Sequence, residues 1–169
     1  MSRDEVDTAR GTWTPPGALR RRAILRRAKT IAVVGASSKP NRASHFVLSY
    51  LRSSSTDYEV WPVSPHEDGI LGLTAYDSLA DLPGAPDIVD VFRKPDDLPG
   101  VAEEAVAAGA GTLWLQLGLH SDEAVRIAHE AELDVVTNRC VKIEHARFHG
   151  GLHLAGFDTG VISSRRSRG

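Results

Sequence analysis

Hydroxyl and cationic side chains cluster in one short loop, and side chains of these types bind phosphate. An apolar run from Ile31 to Val34 ends at Gly35, and the loop that follows leads into a helix-compatible stretch. Unpaired backbone N–H groups at the start of a helix point at an anion bound there. The loop adds three hydroxyls and two cations, on Ser37, Ser38, Lys39, Arg42 and Ser44. This set predicts a ligand whose phosphate oxygens are spread along its length.

The same loop argues against NAD. A dinucleotide-binding loop has the pattern G-x-G-x-x-G, but here only Gly35 is present, and Ser37 and Pro40 stand at the other two glycine positions. NAD-binding folds also place an acid at the end of the second strand to hold the ribose. The segment from Val60 to Pro65 ends without an acid and forms a Pro-x-x-Pro ledge that suits adenine. NADP stays open as an alternative, because cations could bind its 2′-phosphate.

Charge is distributed unevenly along the 169 residues, whose formal net charge is −2. Residues 1–29 hold eight basic and three acidic side chains, and residues 163–169 hold three arginines. Residues 30–162 hold nine basic and nineteen acidic side chains, a net charge of −10. An acidic body repels a polyanion, so we expect no nucleic-acid partner.

Four of the basic residues in this acidic body closely follow predicted strands. They are Lys39, Arg42, Arg93 and Arg139. The carboxyl ends of parallel strands share one rim of a sheet, and ligands bind at the point on that rim where the strand order reverses. Positive charge there concentrates an anionic ligand. We therefore expect a cationic pocket at this rim.

The single cysteine raises the question of thiol chemistry. Cys140 follows the last predicted strand, and the neighbouring cations Arg139 and Lys142 could lower the pKa of its thiol. With His145 as base, such a thiol could act in acyl transfer, or it could pair with a ligand thiol. A buried thiol that closes the last strand explains the residue without any chemistry, and we favour this structural role.

Three histidines near the C-terminus have a spacing that resembles a metal site. His145, His149 and His153 are four residues apart, which would place them on one face of a helix. Gly150 and Gly151 interrupt any such helix. We therefore expect no metal ion here.

The scaffold that positions these residues is predicted from the alternation of short apolar strands with helices, which indicates βαβ units around a parallel sheet. The predicted strands are residues 31–34, 58–63, 88–92, 112–117 and 133–136. The predicted helices are residues 17–29, 44–52, 96–108 and 121–131. We expect a single α/β domain of the doubly wound, Rossmann-like class with a mostly parallel sheet.

The chain divides into three predicted parts. Residues 1–16 form a flexible lead, residues 17–147 form the folded domain, and residues 148–169 form a glycine-rich extension that lies over the domain or over a second subunit. Whether the protein forms a homo-oligomer therefore stays an open question. The basic helix at residues 17–29, with Leu19 and Ile24 on its less polar side, is expected to pack on the sheet edge, because it is too short and weakly amphipathic to anchor in a membrane.

Composition indicates neither a membrane protein nor a secreted one. No apolar run approaches the ~18–20 residues that a membrane span needs. Residues 1–13 lack the apolar region of a secretion signal. The single cysteine excludes an internal disulfide. We therefore expect a cytoplasmic protein.

Five sequence blocks follow one another between residues 30 and 147. They are VVGASSKPNRAS (33–44), VWPVSP (60–65), VDVFRKP (89–95), WLQLG (114–118) and NRCVKIEH (138–145). In this order and spacing they resemble the stand-alone CoA-binding Rossmann proteins, whose fold is similar to the CoA-binding domain of the succinyl-CoA synthetase alpha subunit. The resemblance implies coenzyme A, or an acyl-CoA, as the bound cofactor.

The resemblance also implies a role for each block. Next to Gly35 and Ala36, the phosphates of the 3′-phospho-ADP part would be held by Ser37, Lys39, Arg42 and Ser44. The residues bordering the adenosine would be Ser64 and Pro65, and those flanking the ligand where the strand order reverses would be Phe92 and Arg93. The pantetheine channel would be lined by Gln116 and Gly118, and its thiol end by Asn138, Arg139 and Cys140.

Binding is implied by the resemblance, but a reaction is not. Ligases of the succinyl-CoA synthetase type need a second domain with a phosphorylated histidine and a nucleotide-binding partner, for which 169 residues leave no room. We therefore expect a carrier, sensor or accessory protein rather than a complete enzyme. The alternatives are an NADP-dependent oxidoreductase, an acyl-CoA enzyme that uses Cys140, and a protein-interaction module that uses the basic ends of the chain.

Overall fold

A computed structural model describes residues 4–53 and 56–149 of the chain. Within these residues the strands are β1 (Val6–Thr8), β2 (Gly11–Trp13), β3 (Thr30–Val34), β4 (Glu59–Val63), β5 (Gly69–Ile70), β6 (Leu73–Thr74), β7 (Ile88–Val91), β8 (Thr112–Leu115) and β9 (Asp134–Val136). The α-helices are α1 (Ala18–Arg27), α2 (Ala43–Leu51), α3 (Leu98–Ala107), α4 (Asp122–Glu130) and α5 (Val141–His149). Single turns of 3-10 helix lie at Leu79–Asp81 and Pro95–Asp97.

Five of the strands form one sheet in the order β4-β3-β7-β8-β9, and all neighbours in it are parallel. The chain leaves β3 towards β4 on one side and returns to β7 on the other side of β3, so the strand order reverses between β3 and β7. The predicted single, Rossmann-like α/β domain is confirmed. The reversal point at the carboxyl ends of β3 and β7 is where such sheets bind ligands.

Helices cover both faces of this sheet, which explains why its strands are continuous apolar runs rather than alternating ones. One face packs against α3 and α4, through sheet residues that include Ala32, Val34, Val89, Val91, Leu113 and Leu115. The other face packs against α1, α2 and α5, through sheet residues that include Ile31, Val33, Ile88, Trp114 and Val136. Helix α4 begins as predicted, with the Ser121 hydroxyl accepting a hydrogen bond from the Ala124 N–H.

The N-terminal segment differs from the flexible lead predicted for residues 1–16. Strands β1 and β2 pair as an antiparallel hairpin, and this hairpin contacts α4. The side chain of Trp13 is 5% exposed, and its indole N–H donates to the Val135 carbonyl at 3.3 Å. Thr8 Oγ1 lies 2.8 Å from His129 Nδ1. The polar composition suggested a loose chain, but one buried tryptophan and these long-range hydrogen bonds attach it to the domain.

Helix α5 is the second difference, because no element was predicted between the last strand and residue 147. Its contacts are with α1 and α2. The face of α1 that is buried also differs from the prediction: Leu19 is 78% exposed, whereas Arg21, Ile24 and Leu25 are buried. Arg21 is buried because it meets Glu144 of α5, a partner 123 residues away that local periodicity cannot indicate.

The predicted extension at residues 148–169 lies almost wholly outside the described residues, and the predicted domain boundaries stay predictions. Among the helices within residues 4–53 and 56–149, none is long and apolar enough to cross a membrane.

Candidate cofactor-binding cleft

A cleft of about 570 Å³ opens where β3, β7, β8 and β9 end. This volume falls within the range of small-molecule sites. The cleft is lined by Gly35, Ser37, Arg42, Ala43, Ser44, Phe46, Val47, Phe92, Arg93, Gln116, Leu117, Leu119, Cys140, Lys142 and Ile143. Eight of the fifteen residues predicted to bind the cofactor are therefore brought together here.

Gly35 allows the loops after β3 and β7 to approach each other closely. Its φ is +86°, and a Cβ at this position would lie 2.4 Å from the carbonyl oxygen of Phe92. Its N–H donates to the Val63 carbonyl of β4 at 3.0 Å. Any side chain here would push the two loops apart, so the glycine is required for the geometry of the cleft rather than for contact with a ligand.

The side of the cleft that follows β3 and β7 is cationic and hydroxylic. We call it the cationic side, and its members are Ser37, Arg42, Ser44 and Arg93. Arg42 is the N-cap residue of α2, and its side chain makes no capping hydrogen bond. A guanidinium has no acceptor, so it caps none of the N–H groups in the first turn of α2; the His45 N–H donates to the Arg42 carbonyl at 3.0 Å, and the N–H groups before it favour an anion. Arg93 is held by an ion pair with Asp97 at 2.9 Å, and both side chains keep access to solvent.

The side of the cleft that follows β8 and β9, together with the facing wall of α2, is apolar. We call it the apolar side, and its members are Phe46, Val47, Leu117, Leu119 and Ile143. Phe46 is 58% exposed, Leu117 62% and Ile143 48%. Because α2 and α5 are in contact, Phe46 and Ile143 line the same opening from two helices.

Gln116 connects the floor of the cleft to α5. Its side chain is buried, and its Oε1 accepts a hydrogen bond from the Val141 N–H at 3.2 Å. Val141 opens α5. The hydrogen bond therefore fixes the first turn of the helix that brings Lys142 and Ile143 to the cleft.

A buried ion pair holds α5 against α1. Glu144 is 2% exposed, and its Oε1 accepts from Nε of Arg21 at 2.5 Å. Arg147 and Arg139 lie within 3.5 and 3.9 Å of the other carboxylate oxygen. A carboxylate this deeply buried is stable only with such partners. Arg139 and Glu144 flank Cys140, Lys142 and Ile143 along the chain, so the network holds the start of α5 in place.

Seven predicted residues do not line the cleft. On the β4 side of it, Ala36 is buried in the core, Lys39 and Pro65 are exposed, and the hydroxyl of buried Ser64 accepts from the His66 N–H at 3.2 Å. On the β9 side, Asn138 Oδ1 accepts from the Gly118 N–H at 2.7 Å, and the Arg139 carbonyl accepts from the Trp114 indole at 2.8 Å. The β9-side contacts join the loops after β8 and β9, which shape the cleft.

Glu67 lies against the predicted phosphate loop and is hydrogen-bonded to it. Its carboxylate accepts hydrogen bonds from the Ser38 N–H at 3.0 Å and from the Ser38 hydroxyl at 2.9 Å. These bonds lower the pKa of Glu67 below its ordinary value. Glu67, in the loop after β4, therefore accepts hydrogen bonds from Ser38 that an anionic ligand could otherwise accept.

Asp90 is a buried acid beneath the cleft that the sequence prediction did not single out. It lies in β7, paired in register with Val33 and Trp114, and strand alternation places it on the same face as Phe92. It is fully buried, and neither carboxylate oxygen has a hydrogen-bond partner among the described residues. Burial raises the pKa of Asp90 well above its ordinary value.

Seven cleft residues were missed by the sequence prediction: Ala43, Phe46, Val47, Leu117, Leu119, Lys142 and Ile143. A signal existed for three of them, since Ala43, Phe46 and Val47 recur at helical spacing on one face of α2. Leu117 and Ile143 had no such signal, because their meeting depends on where α5 packs.

A protein-family model described as the CoA binding domain matches residues 29–146. The chain belongs to this family. Every described residue that lines the cleft falls within the matched CoA-binding domain, whereas the N-terminal hairpin and α1 precede it.

Two relatives are matched over most of their own length. The uncharacterized protein YneT of Bacillus subtilis is 43% identical over 123 residues, which are 73% of this chain and 90% of YneT. A solved structure of a hypothetical protein from Pyrococcus horikoshii is 38% identical with a TM-score of 0.77. The match covers 82% of this chain and 98% of that one.

A longer relative carries the same domain within a ligase. The alpha subunit of an ADP-forming acetate–CoA ligase from Pyrococcus furiosus is 30% identical over 67% of this chain, and the match covers 27% of that subunit. The chain thus spans about a quarter of the length of this ligase subunit. The predicted resemblance to stand-alone CoA-binding proteins and to CoA-ligase subunits is confirmed.

Proposed function

We propose that this CoA-binding domain binds coenzyme A or an acyl-CoA across the ends of β3, β7, β8 and β9, as a carrier, sensor or accessory protein. The observation that carries the proposal is the division of one cleft into a cationic side and an apolar side. Coenzyme A has the same division, since its charge lies on the phosphates and its thiol arm is largely uncharged. The ligand's phosphates would lie on the cationic side, and its thiol end near Cys140.

The span of the cleft suits the length of the thiol arm. From β3 to β9 there are three steps between neighbouring strands, which amount to about 14 Å. The arm between phosphate and sulfur has as many backbone bonds as about four amino-acid residues, or roughly 13–14 Å when extended. An arm that starts at the loop after β3 therefore ends beside the loop after β9.

The adenosine part would lie next to the cleft rather than in it. Ser64 and Pro65 follow β4, one strand beyond β3 in the sheet, and Lys39 lies in the loop after β3, next to Ser38, which donates hydrogen bonds to Glu67. The ribose phosphate would then meet the exposed ammonium of Lys39. In this arrangement the predicted adenosine and phosphate contacts would lie along one rim.

Binding without catalysis is favoured by the surroundings of His145. Its Nδ1 lies 2.7 Å from the hydroxyl of Tyr50, and its ring packs edge-on against both Tyr50 and Tyr58. Such a buried, packed ring is poorly placed to serve as a base for Cys140, as acyl transfer would require. A non-catalytic CoA protein with a single thiol also fits the cytoplasm.

Calorimetric titration of the full chain with coenzyme A, 3′-dephospho-CoA and NADP tests the proposal. We expect coenzyme A to bind, 3′-dephospho-CoA to bind more weakly because a phosphate contact is lost, and NADP not to bind. Tighter binding of NADP than of coenzyme A would favour the oxidoreductase alternative and refute the proposal.

Two substitutions test the site itself. Arg42→Ala and Lys39→Ala are each expected to weaken coenzyme A binding by about 1–3 kcal/mol, the scale of a lost charged hydrogen bond. Arg126→Ala is the matched control, since Arg126 is partly exposed and paired with Glu123 on α4, across the sheet from the cleft. Unchanged titration curves for both test variants would contradict the assignment of the cleft.

A further inference from the structure

Large apolar side chains are exposed mainly around this one cleft. Among the described residues, four are exposed, and three of these, Phe46, Leu117 and Ile143, line the cleft; the fourth is Leu19 on α1. Single exposed apolar residues are ordinary on protein surfaces. Three that converge on one opening from separate elements indicate a surface that is covered when the protein is in use.

Each of the three residues is held in place by buried neighbours. Ile143 lies between the fully buried Val141 and the ion-paired Glu144. Phe46 precedes buried Val47 in α2. Leu117 lies in a turn closed by the hydrogen bond from the Leu119 N–H to the Gln116 carbonyl, at 2.9 Å. The fold therefore keeps these side chains at the opening instead of leaving them free to collapse into the core.

We infer that the apolar side, which takes the end of the thiol arm, is also a subsite for an aliphatic acyl group attached to the sulfur, so that the ligand is an acyl-CoA thioester and not free coenzyme A. The inference rests on the proposed function, which brings the sulfur of the ligand to the β8–β9 side of the cleft. A group attached to that sulfur extends towards Leu117, Leu119 and Ile143, with Phe46 on the facing wall. Aliphatic carbon is the chemistry that these walls cover favourably.

The apolar side favours an aliphatic acyl group over a dicarboxylic one. The side chains of Phe46, Leu117 and Ile143 offer no hydrogen-bond donor to a carboxylate, and desolvating a carboxylate without donors is costly. Lys142 also lines the cleft, with its ammonium 5.8 Å from the centroid of the Tyr50 ring, and its methylene stem adds to the apolar wall. The subsite is therefore expected to prefer an uncharged chain over one that ends in a carboxylate.

The preference is measured by titrating the full chain with coenzyme A and with its acetyl, butyryl, hexanoyl and succinyl thioesters. Each methylene that is fully buried would strengthen binding about fourfold, and each methylene that lies against half-exposed walls would strengthen it about twofold. We therefore expect hexanoyl-CoA to bind roughly tenfold more tightly than acetyl-CoA. Butyryl-CoA is expected to bind more tightly than succinyl-CoA, which has the same number of acyl carbons.

Matched variants connect the preference to the three side chains. Phe46→Ser and Ile143→Ser are expected to reduce the hexanoyl-to-acetyl ratio from about tenfold to about twofold. Leu19→Ser removes an exposed apolar side chain away from the cleft, and its hexanoyl-to-acetyl ratio is expected to stay as in the parent protein. The thermal unfolding midpoint of each variant, measured without ligand, shows that the variants are folded.

The outcomes separate this inference from the proposed function. Equal affinity for coenzyme A and all its thioesters, or tighter binding of succinyl-CoA than of butyryl-CoA, refutes the acyl subsite and leaves coenzyme A binding intact. Absence of binding by coenzyme A and by every thioester refutes both. If sedimentation shows a dimer that Phe46→Ser dissociates, and the thioesters do not differ, the face joins two copies of the chain and the inference is wrong.

Discussion

The cationic side and the apolar side of the cleft are built in different ways. The cationic side comes from the loops that directly follow β3 and β7 and from the first turn of α2, and three of its four residues lie within eight positions of one another. The apolar side combines α2, the loop after β8 and the first turn of α5. The cationic side therefore depends on strand ends and the start of the next helix, whereas the apolar side exists only when α5 is held in place.

This difference implies that the two sides respond to different perturbations. Loss of the contacts that hold α5 should affect stability and the apolar side, and leave the loop after β3 in place. Changes in the charge around that loop should alter phosphate binding with little effect on folding.

Glu144→Gln has the largest expected effect. It leaves the buried Arg21 guanidinium without its charged partner, and breaking a buried pair in this way costs about 3–5 kcal/mol in the free energy of unfolding. Chemical denaturation measures the loss. Asp134→Asn is the control, since its pair with Arg20 is largely exposed and should be worth less than about 1 kcal/mol. Equal losses in the two variants would mean that the Glu144 network does not hold α5.

Asp90→Asn tests the buried acid that lies below both sides. Because burial raises the pKa of Asp90 in the folded protein, the unfolded chain releases this proton at lower pH than the folded one does. The contribution of protonated Asp90 to the free energy of unfolding is therefore lost as the pH rises above the ordinary pKa of an aspartate. At neutral pH the Asn variant is expected to be more stable than the parent by roughly 1–3 kcal/mol.

The pH dependence of unfolding provides the check on Asp90. The stability difference between parent and Asp90→Asn should shrink as pH falls towards about 4, where the unfolded carboxyl is itself protonated. Asp77→Asn, at an exposed position, should show no such trend. A difference that stays constant with pH would show that the charge of Asp90 is not the cause.

Glu67→Gln has the smallest expected effect and concerns the cationic side alone. The substitution removes a negative charge near the phosphates, and the neutral amide oxygen of Gln accepts the Ser38 hydrogen bonds less strongly than the carboxylate does, so coenzyme A should bind about two- to fivefold more tightly. Because the pKa of Glu67 is lowered, the parent keeps this charge even in mildly acidic buffer. Titrations at low and high salt measure the effect, which should shrink at high salt. Weaker binding by the variant would show that Glu67 supports the loop instead of competing with the ligand.

Local sequence features predicted the elements that carry the cationic side. Each of the five strands of the main sheet lies at its predicted position to within about two residues. The reason is that a short continuous apolar run between turns is typical of a buried strand. Gly35, Arg42 and Arg93 were found because they stand where such runs end. Their roles towards coenzyme A stay predictions that the titrations above test.

The N-terminal hairpin and α5 could not be predicted in the same way. The buried side chain of Trp13 donates a hydrogen bond to Val135, which is 122 positions away. The buried side chain of Arg21 donates one to Glu144, which is 123 positions away. Neither partner leaves a trace in the local pattern of polar and apolar residues. Polar composition alone therefore suggested a flexible lead for residues 1–16, and the local pattern of α1 did not indicate that Arg21 is buried.

Local sequence alone is enough to predict the class of the fold, and it also predicts a ligand-binding rim and an anionic ligand, because these follow from strand ends and the residues next to them. Only the tertiary structure shows that Phe46, Leu117 and Ile143 meet at one opening, and that Glu144 is buried. Contacts between segments about a hundred residues apart depend on how helices pack over the sheet, and packing is settled only when the whole core forms.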